Sequence, residues 1–178
     1  DQPGHVCPDA DGTLIWVPDT DAEAGGPGQA EAPPLVVTAE EVQTLLVNAG
    51  TIQVQPDRSW VLVNAETIVH TDAAEHTLST QVLGIDVDVR VTPTQFTWDF
   101  GDGSEPLTRT EPGAPWPDHT TAHKYQAVGD FQITLHTEWD AHFRAQGASA
   151  WQPVTGTPVT VAESEPFESV TATPRLTR

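Results

Sequence analysis

Basic side chains are scarce in this chain, whose 178 residues include 7 Lys and Arg against 26 Asp and Glu, for a formal net charge of −19. Such a charge repels phosphate backbones and anionic lipids, which excludes nucleic acids and polybasic membrane attachment. Long apolar runs are also missing, because no segment approaches the roughly 18 residues that a membrane-spanning helix needs. The sequence therefore predicts neither a nucleic-acid partner nor a transmembrane segment.

Cysteine and methionine are almost absent too. Cys7 is the single cysteine, which excludes a disulfide within the chain. Two interpretations of Cys7 stay open, an unpaired thiol in a flexible arm and a covalent link to another chain. The chain begins at Asp1 without an apolar signal region and contains no Met, which fits a chain that is either mature and signal-cleaved or trimmed.

The first part of the chain differs in composition from the rest. Residues 1–34 contain seven acidic residues, no Lys or Arg, and eleven Pro and Gly residues. This composition predicts an acidic, loosely ordered arm over residues 1–37, with an apolar island at 14–17 that could add an edge strand. A capping box that starts at Thr38 then predicts a short helix within residues 38–50.

From residue 51 onward, apolar residues recur at every second position, which predicts strands. In the segment 85–91, four apolar residues alternate with Asp, Asp and Arg, so that one face is buried and the other is wet. Seven or more such short segments with almost no helix predict an all-β fold, an antiparallel β-sandwich over residues 51–163. A projecting hairpin is expected at about 139–153, and a final strand or a tail at 164–178.

Three motifs stand in order within the predicted sandwich. The first is a strand followed by a tight turn, which reads Trp98, Asp99, Phe100, Gly101, Asp102 and Gly103. The second contains His123 and Tyr125, and the third contains Gly129 and Phe131. A sandwich strand buries a residue such as Trp98 against the facing sheet. The glycines of the turn allow positive φ, and its aspartates can accept backbone N–H groups.

This ordered set resembles the PKD (polycystic kidney disease) family of extracellular Ig-like domains. The hallmark of that family is W-D-F-G-D-G, then H-x-Y, then G-x-F/Y-x-V/I-x-L, and this chain departs from it in a longer connection between the first two motifs. The wider arrangement is similar to secreted, single-PKD proteins of high-GC Gram-positive bacteria. The resemblance implies an Ig-like sandwich in a secreted or cell-surface module, and it brings no enzymatic activity with it.

Metal ligands and catalytic groups are weakly indicated. Asp99 and Asp102 are candidate calcium ligands, although the turn alone explains both residues. Asp9 and Asp11 resemble only part of a calcium loop, which lacks its remaining ligands. The sequence contains neither a G-x-S-x-G elbow nor a Gly-rich phosphate loop. We therefore expect a non-catalytic protein without a cofactor, with calcium as the one alternative.

Six tryptophans against one tyrosine is an unusual ratio, and Trp98 alone is assigned to the core. Trp116, Trp139 and Trp151 are candidate binding residues that could pack internally, anchor a protein partner or stack on sugar rings. The sequence favours a non-catalytic secreted module on a bacterial surface that serves as a spacer or protein-interaction domain. Two alternatives stay open, a carbohydrate-binding module with exposed Trp residues and a subunit of an extracellular filament or surface assembly.

Overall fold

The computed structural model describes four segments of the chain, residues 4–8, 14–18, 35–45 and 49–172. In the first two segments the backbone alone is described. The chain divides into two units, Asp1–Leu35 and Val36–Arg178. Within the described segments, no helix is long and apolar enough to cross a membrane.

The smaller unit contains a pair of antiparallel strands, β1 (Gly4–Pro8) and β2 (Leu14–Pro18). The apolar island of the sequence therefore forms a strand, and its partner is a strand of the same unit. Cys7 lies in β1 opposite Ile15, but its side chain lies outside what is described, so a link to another chain stays a prediction. The calcium candidates Asp9 and Asp11 also lie outside the described residues.

The larger unit contains one helix and twelve strands within the described part of the chain. In chain order these are α1 (Ala39–Leu45), β3 (Ile52–Gln55), β4 (Trp60–Leu62), β5 (Thr67–Thr71), β6 (His76–Val82), β7 (Ile85–Asp99), β8 (Leu107–Arg109), β9 (Ala122–His123), β10 (Gly129–Phe131), β11 (Thr134–Ala145), β12 (Gln152–Pro153), β13 (Val159–Glu163) and β14 (Phe167–Val170). The prediction of an all-β sandwich with a short N-terminal helix is confirmed.

The helix begins where the sequence predicts it. The Thr38 backbone N–H donates to Glu41 Oε2 over 2.8 Å, and the Glu41 N–H donates back to Thr38 Oγ1 over 3.4 Å. This reciprocal pair satisfies N–H groups that the first turn leaves without partners. Val42 points from α1 into the core and has no exposed surface.

The main sheet is built around β7 and β11, which pair antiparallel along their whole length with one register shift between Glu138 and Trp139. β6 and β8 flank the two halves of β7, and β12 and β13 flank the two halves of β11. A second sheet has the order β10-β14-β4, in which β14 runs parallel to β4. A third has the order β3-β5-β9.

The core follows from the alternation of the two long strands. Val87, Val89 and Val91 of β7 are buried, as the pattern over residues 85–91 predicts, and Phe96 and Trp98 continue the same face. β11 contributes every second residue from Leu135 to Phe143. Full burial of one such side chain stabilises the fold by about 1.5–3 kcal/mol.

The structure places a hairpin within the predicted segment of about 139–153, because β12 pairs antiparallel with the end of β11. β11 continues without a break through Trp139 to Ala145, because the alternation of buried and outward residues continues there. The chain reverses at Gly147, which has a φ of +86°, and β12 then returns along β11. The segment is therefore an extension of the main sheet rather than a separate projection that starts at Trp139.

Candidate functional site

The turn after β7 is held by its own aspartates. Asp99 Oδ1 accepts the backbone N–H of Gly101 over 2.9 Å. Asp102 Oδ1 accepts the backbone N–H of Ser104 over 3.1 Å and its hydroxyl over 2.6 Å. Gly101 has a φ of +71°, and a Cβ there would lie 2.5 Å from the carbonyl oxygen of Gln132. The backbone at Gln132, between β10 and β11, comes so close that position 101 requires glycine.

His123 ties this turn to the second motif. Its Nε2 atom lies 2.7 Å from Oδ2 of Asp102. Because a carboxylate can only accept, the ring N–H of His123 donates this hydrogen bond. The imidazole stacks on Phe100, with ring centroids 4.1 Å apart and an interplanar angle of 9°. The hydroxyl of Tyr125, two residues later, donates to the Phe100 carbonyl oxygen over 3.1 Å.

Tyr125 ties the third motif to the other two. Its ring is buried and stacks on Phe131 at 4.6 Å between centroids. Gly129 leaves room for the ring of Phe131, because a Cβ at position 129 would lie 3.2 Å from that ring. Trp98 has no exposed surface and lies one residue before the turn. The three motifs thus form one packed cluster, which we call the turn cluster: Trp98–Ser104, His123, Tyr125, Gly129 and Phe131.

The electrostatics of the turn cluster follow from this packing. Burial raises the pKa of Asp102, but hydrogen bonds from Ser104 and His123 outweigh burial and hold that pKa below its ordinary value. Burial raises the pKa of Tyr125 far above its ordinary value, and the charges of Asp102 and Asp99 add to the effect. Tyr125 is therefore a neutral hydrogen-bond donor, and Asp102 is an ionised acceptor.

The chemistry open to the turn cluster is limited, because its carboxylates, its imidazole and its phenol hydroxyl are engaged within the cluster, and the buried Nε1 of Trp98 alone lacks a hydrogen-bond partner there. Both oxygens of Asp102 already accept hydrogen bonds, and so does Oδ1 of Asp99. Across the described segments, no group of three or more His, Cys, Asp or Glu residues is placed to hold a metal ion. Calcium at Asp99 and Asp102 stays a prediction that the geometry neither requires nor tests.

The model of the PKD domain family matches residues 60–142, which span β4 to β11 and contain the whole turn cluster. The chain carries a PKD domain. No curated protein and no solved structure matches this chain. PKD domains are Ig-like β-sandwiches that are typically extracellular and generally non-catalytic. The turn cluster thus lies wholly within the matched PKD domain, and its contacts hold the three motifs of that domain together.

Trp139 requires a correction as a binding candidate. It is 1% exposed, its indole N–H donates to Thr160 Oγ1 over 2.8 Å, and His76 packs edge-on against it at 5.6 Å. A side chain without accessible surface cannot stack on a sugar or anchor a partner. The alternation of β11 turns Trp139 inward together with Leu135 and Phe143.

Trp151 lies on the outer face of the main sheet, where two cations cover its ring. The guanidinium carbons of Arg90 and Arg144 lie 4.8 and 4.6 Å from the centroid of the ring. Arg144 is in turn held by Asp88, with 3.1 Å between Nη2 and Oδ2. The indole is half-buried, and the two arginines occupy positions over the ring where a sugar would otherwise stack.

Trp116 is the candidate that the structure leaves open to solvent. Its side chain is 70% exposed in the proline-rich loop between β8 and β9. Its backbone N–H donates to Gln55 Oε1 over 2.8 Å, which fixes the base of the loop against the end of β3. The three tryptophans therefore do not form one aromatic platform.

Leu83, which no sequence pattern above singles out, is an apolar side chain at the tip of the β6–β7 hairpin. It is 88% exposed and has a φ of +53°. The sequence of the turn could have pointed to this residue, since two-residue hairpin turns favour Asn or Gly at the position that Leu83 occupies.

Proposed function

We propose that this chain is a non-catalytic secreted module whose PKD domain serves as a protein-interaction domain or spacer on a bacterial surface. The observation that carries the proposal is the turn cluster, because its carboxylates, imidazole and phenol hydroxyl are engaged in holding the fold together. Asp102, His123 and Tyr125 would be the obvious candidates for chemistry, and each of them is paired within the fold. What remains for function is the outer surface of the domain.

The exposed ring of Trp116 supports a role in protein contact. Exposed tryptophans on fixed loops are frequent anchors in interfaces, because the indole buries a large area and loses little conformational freedom. The hydrogen bond from the Trp116 backbone to Gln55 fixes the loop at one point. The loop therefore holds the indole ring at the surface before a partner binds.

Site-directed photo-cross-linking on intact cells tests this role. A benzophenone amino acid is placed at position 116 of the full chain, which is added to living cells of the organism that encodes it and irradiated. The control carries the same group at Val161, an exposed position on β13. We expect a discrete protein adduct from position 116 and a much weaker one from 161. Equal adducts from both positions, or none from either, would contradict a specific contact at Trp116.

Carbohydrate binding is the second candidate, and the same exposure of Trp116 favours it, since sugars stack on open indole rings. Affinity electrophoresis in gels that contain soluble polysaccharides separates it from protein contact. A carbohydrate module is retarded in such a gel, and Trp116→Ala abolishes the retardation. If migration is unchanged in every polysaccharide while the cross-link at 116 forms, the function is protein contact.

A further inference from the structure

β6 is a free edge of the main sheet that lacks the usual protection against pairing with other strands. Among the described residues it pairs with β7 alone, and none of its seven residues is charged or proline. The other edge strands of this sheet are protected: β8 is three residues long and contains Arg109, β12 contains Pro153, and the Gln43 side chain of α1 donates to the Val159 carbonyl of β13. Natural sheets protect edges in these ways because an open edge pairs with other chains.

The register of the hairpin fixes which backbone groups face outward. Val82 and Ile85 flank the two-residue turn and form a hydrogen-bonded pair, so alternate residues of β6 bond to β7. The N–H and C=O groups of Thr77, Ser79 and Gln81 therefore point away from the sheet. Their side chains are exposed as well, and among the described residues of the larger unit no backbone group other than those of β7 pairs with β6.

The tip at the end of β6 is apolar and conformationally unfavourable. Leu83 combines 88% exposure with a left-handed φ, and Ile85 beside it is 46% exposed. Asn or Gly at position 83 would relieve both the backbone strain and the exposure of apolar surface. A contact with another molecule is the physical benefit that leucine offers at this position.

The charges beside the edge are negative and lean toward it. Asp86 Oδ1 accepts from the Gln81 side chain over 2.6 Å, and Asp88 Oδ1 accepts from the Ser79 hydroxyl over 3.0 Å. Both carboxylates of β7 thus lie beside side chains of β6 and place negative charge next to this edge. Arg144 neutralises Asp88, whereas no cation of the described residues lies within 4 Å of Asp86.

We propose that β6 binds an extended segment of another protein, which joins the main sheet as an added strand. Its backbone pairs with Thr77, Ser79 and Gln81, a Lys or Arg on its outer face approaches Asp86, and an apolar residue packs on Leu83. The proposal rests on the proposed function as an interaction module. A second copy of the chain is the poorer occupant, because each copy has a net charge of −19 and the two repel.

The first test is the mass of the full chain in solution, measured by light scattering at physiological salt. We expect a monomer at all concentrations. A dimer that Ser79→Pro dissociates would overturn the proposal in favour of a second copy on the same edge, since proline removes the outward N–H and is tolerated on edge strands.

The second test uses a blocked peptide of about nine residues with alternating valine and lysine, labelled for fluorescence anisotropy. Two control peptides are used: one is N-methylated on alternate amides, which preserves charge and prevents strand pairing, and the other has glutamate in place of lysine. We expect each control to bind at least about tenfold more weakly, because the first lacks the backbone hydrogen bonds to β6 and the second lacks the positive charge that approaches Asp86. Equal binding of the N-methylated peptide would show that net charge alone attracts it and would overturn the proposal.

Variants of the chain locate the peptide. Asp86→Asn and Leu83→Asn are each expected to weaken binding about three- to tenfold, and the asparagine at position 83 keeps the turn. Asp140→Asn is the matched control, an exposed aspartate on the same face of the sheet but on β11. Amide hydrogen exchange should slow at Thr77, Ser79 and Gln81 when peptide is bound, and protection elsewhere would contradict the assigned edge. A cross-link at position 116 without peptide binding at β6 would reject the edge and retain the interaction module.

Discussion

The pair formed by Asp102 and His123 joins the turn after β7 to strand β9, across 21 positions of the sequence. Its side chains are 14% and 17% exposed, so the pair is shielded from most of the solvent. A charge-assisted hydrogen bond in such a position is stronger than one at the surface. The pair is therefore a determinant of stability, and it makes stability depend on pH.

Acid should destabilise the domain through Asp102. The pKa of this group is lowered in the folded state, so its contribution is fully present above the unfolded value near 3.8 and is lost as pH falls through the folded value. We expect Asp102→Asn to lower the free energy of unfolding by about 1–2 kcal/mol near neutral pH. Below about pH 4, the free energy of unfolding of this variant should depend less on pH than that of the unchanged chain. Urea denaturation between about pH 3 and 7 measures both effects. Asp130→Asn, on an exposed edge residue, should leave the profile unchanged.

The two glycines of the turn should respond differently to the same substitution. Gly101→Ala places a Cβ 2.5 Å from the Gln132 carbonyl oxygen, whereas a Cβ at Gly103 meets nothing within 4 Å. Both positions have positive φ, so both variants incur the left-handed penalty of about 1 kcal/mol. We expect Gly101→Ala to lose about 2–4 kcal/mol in all, because the backbone between β10 and β11 must also move away. Equal losses in chemical denaturation would show that the close approach is unimportant.

Among the elements, β7 and β11 show what could be predicted from sequence and what could not. The alternation over 85–91 and the position of Trp98 follow from local patterns, and so does the capping box of α1. The continuation of β7 through Pro93 does not, because proline usually ends a strand; it lies opposite Trp139 at the register shift, where the ladder is irregular. The parallel pairing of β14 with β4 joins distant segments, and no local pattern reports it.

Trp139 and Trp116 form a matched pair for testing this assignment of burial. Trp139→Ala removes a fully buried indole from the middle of β11 and should lower the free energy of unfolding by about 3–5 kcal/mol. Trp116→Ala removes an exposed ring and should change it by less than about 0.5 kcal/mol. Thermal and chemical unfolding of both variants measures the difference. Similar losses would show that the loop around Trp116 is packed more tightly than its exposure indicates.

For the whole molecule, the excess of negative charge opposes compaction. With a net charge of −19 and few cations to balance it, the folded chain repels itself, and added salt screens that repulsion. We expect the Tm to rise by a few degrees between about 10 mM and 500 mM NaCl, at about 2–4 °C for each kcal/mol gained. Sucrose at equal osmolality controls for general solvent effects. A Tm that does not change, or that falls, would show that local ion pairs dominate over net charge.

The parallel pairing of β14 with β4 has a mechanical consequence for a spacer. The two strands come from near the two ends of the larger unit, and they point in the same direction. When tension along the chain reaches them, it pulls the start of β4 and the end of β14 in opposite directions. The hydrogen bonds that join Trp60–Leu62 to Glu168–Val170 are then loaded together in shear rather than broken one after another. A short parallel clamp of this kind would resist force along the chain, which is the property that a spacer needs.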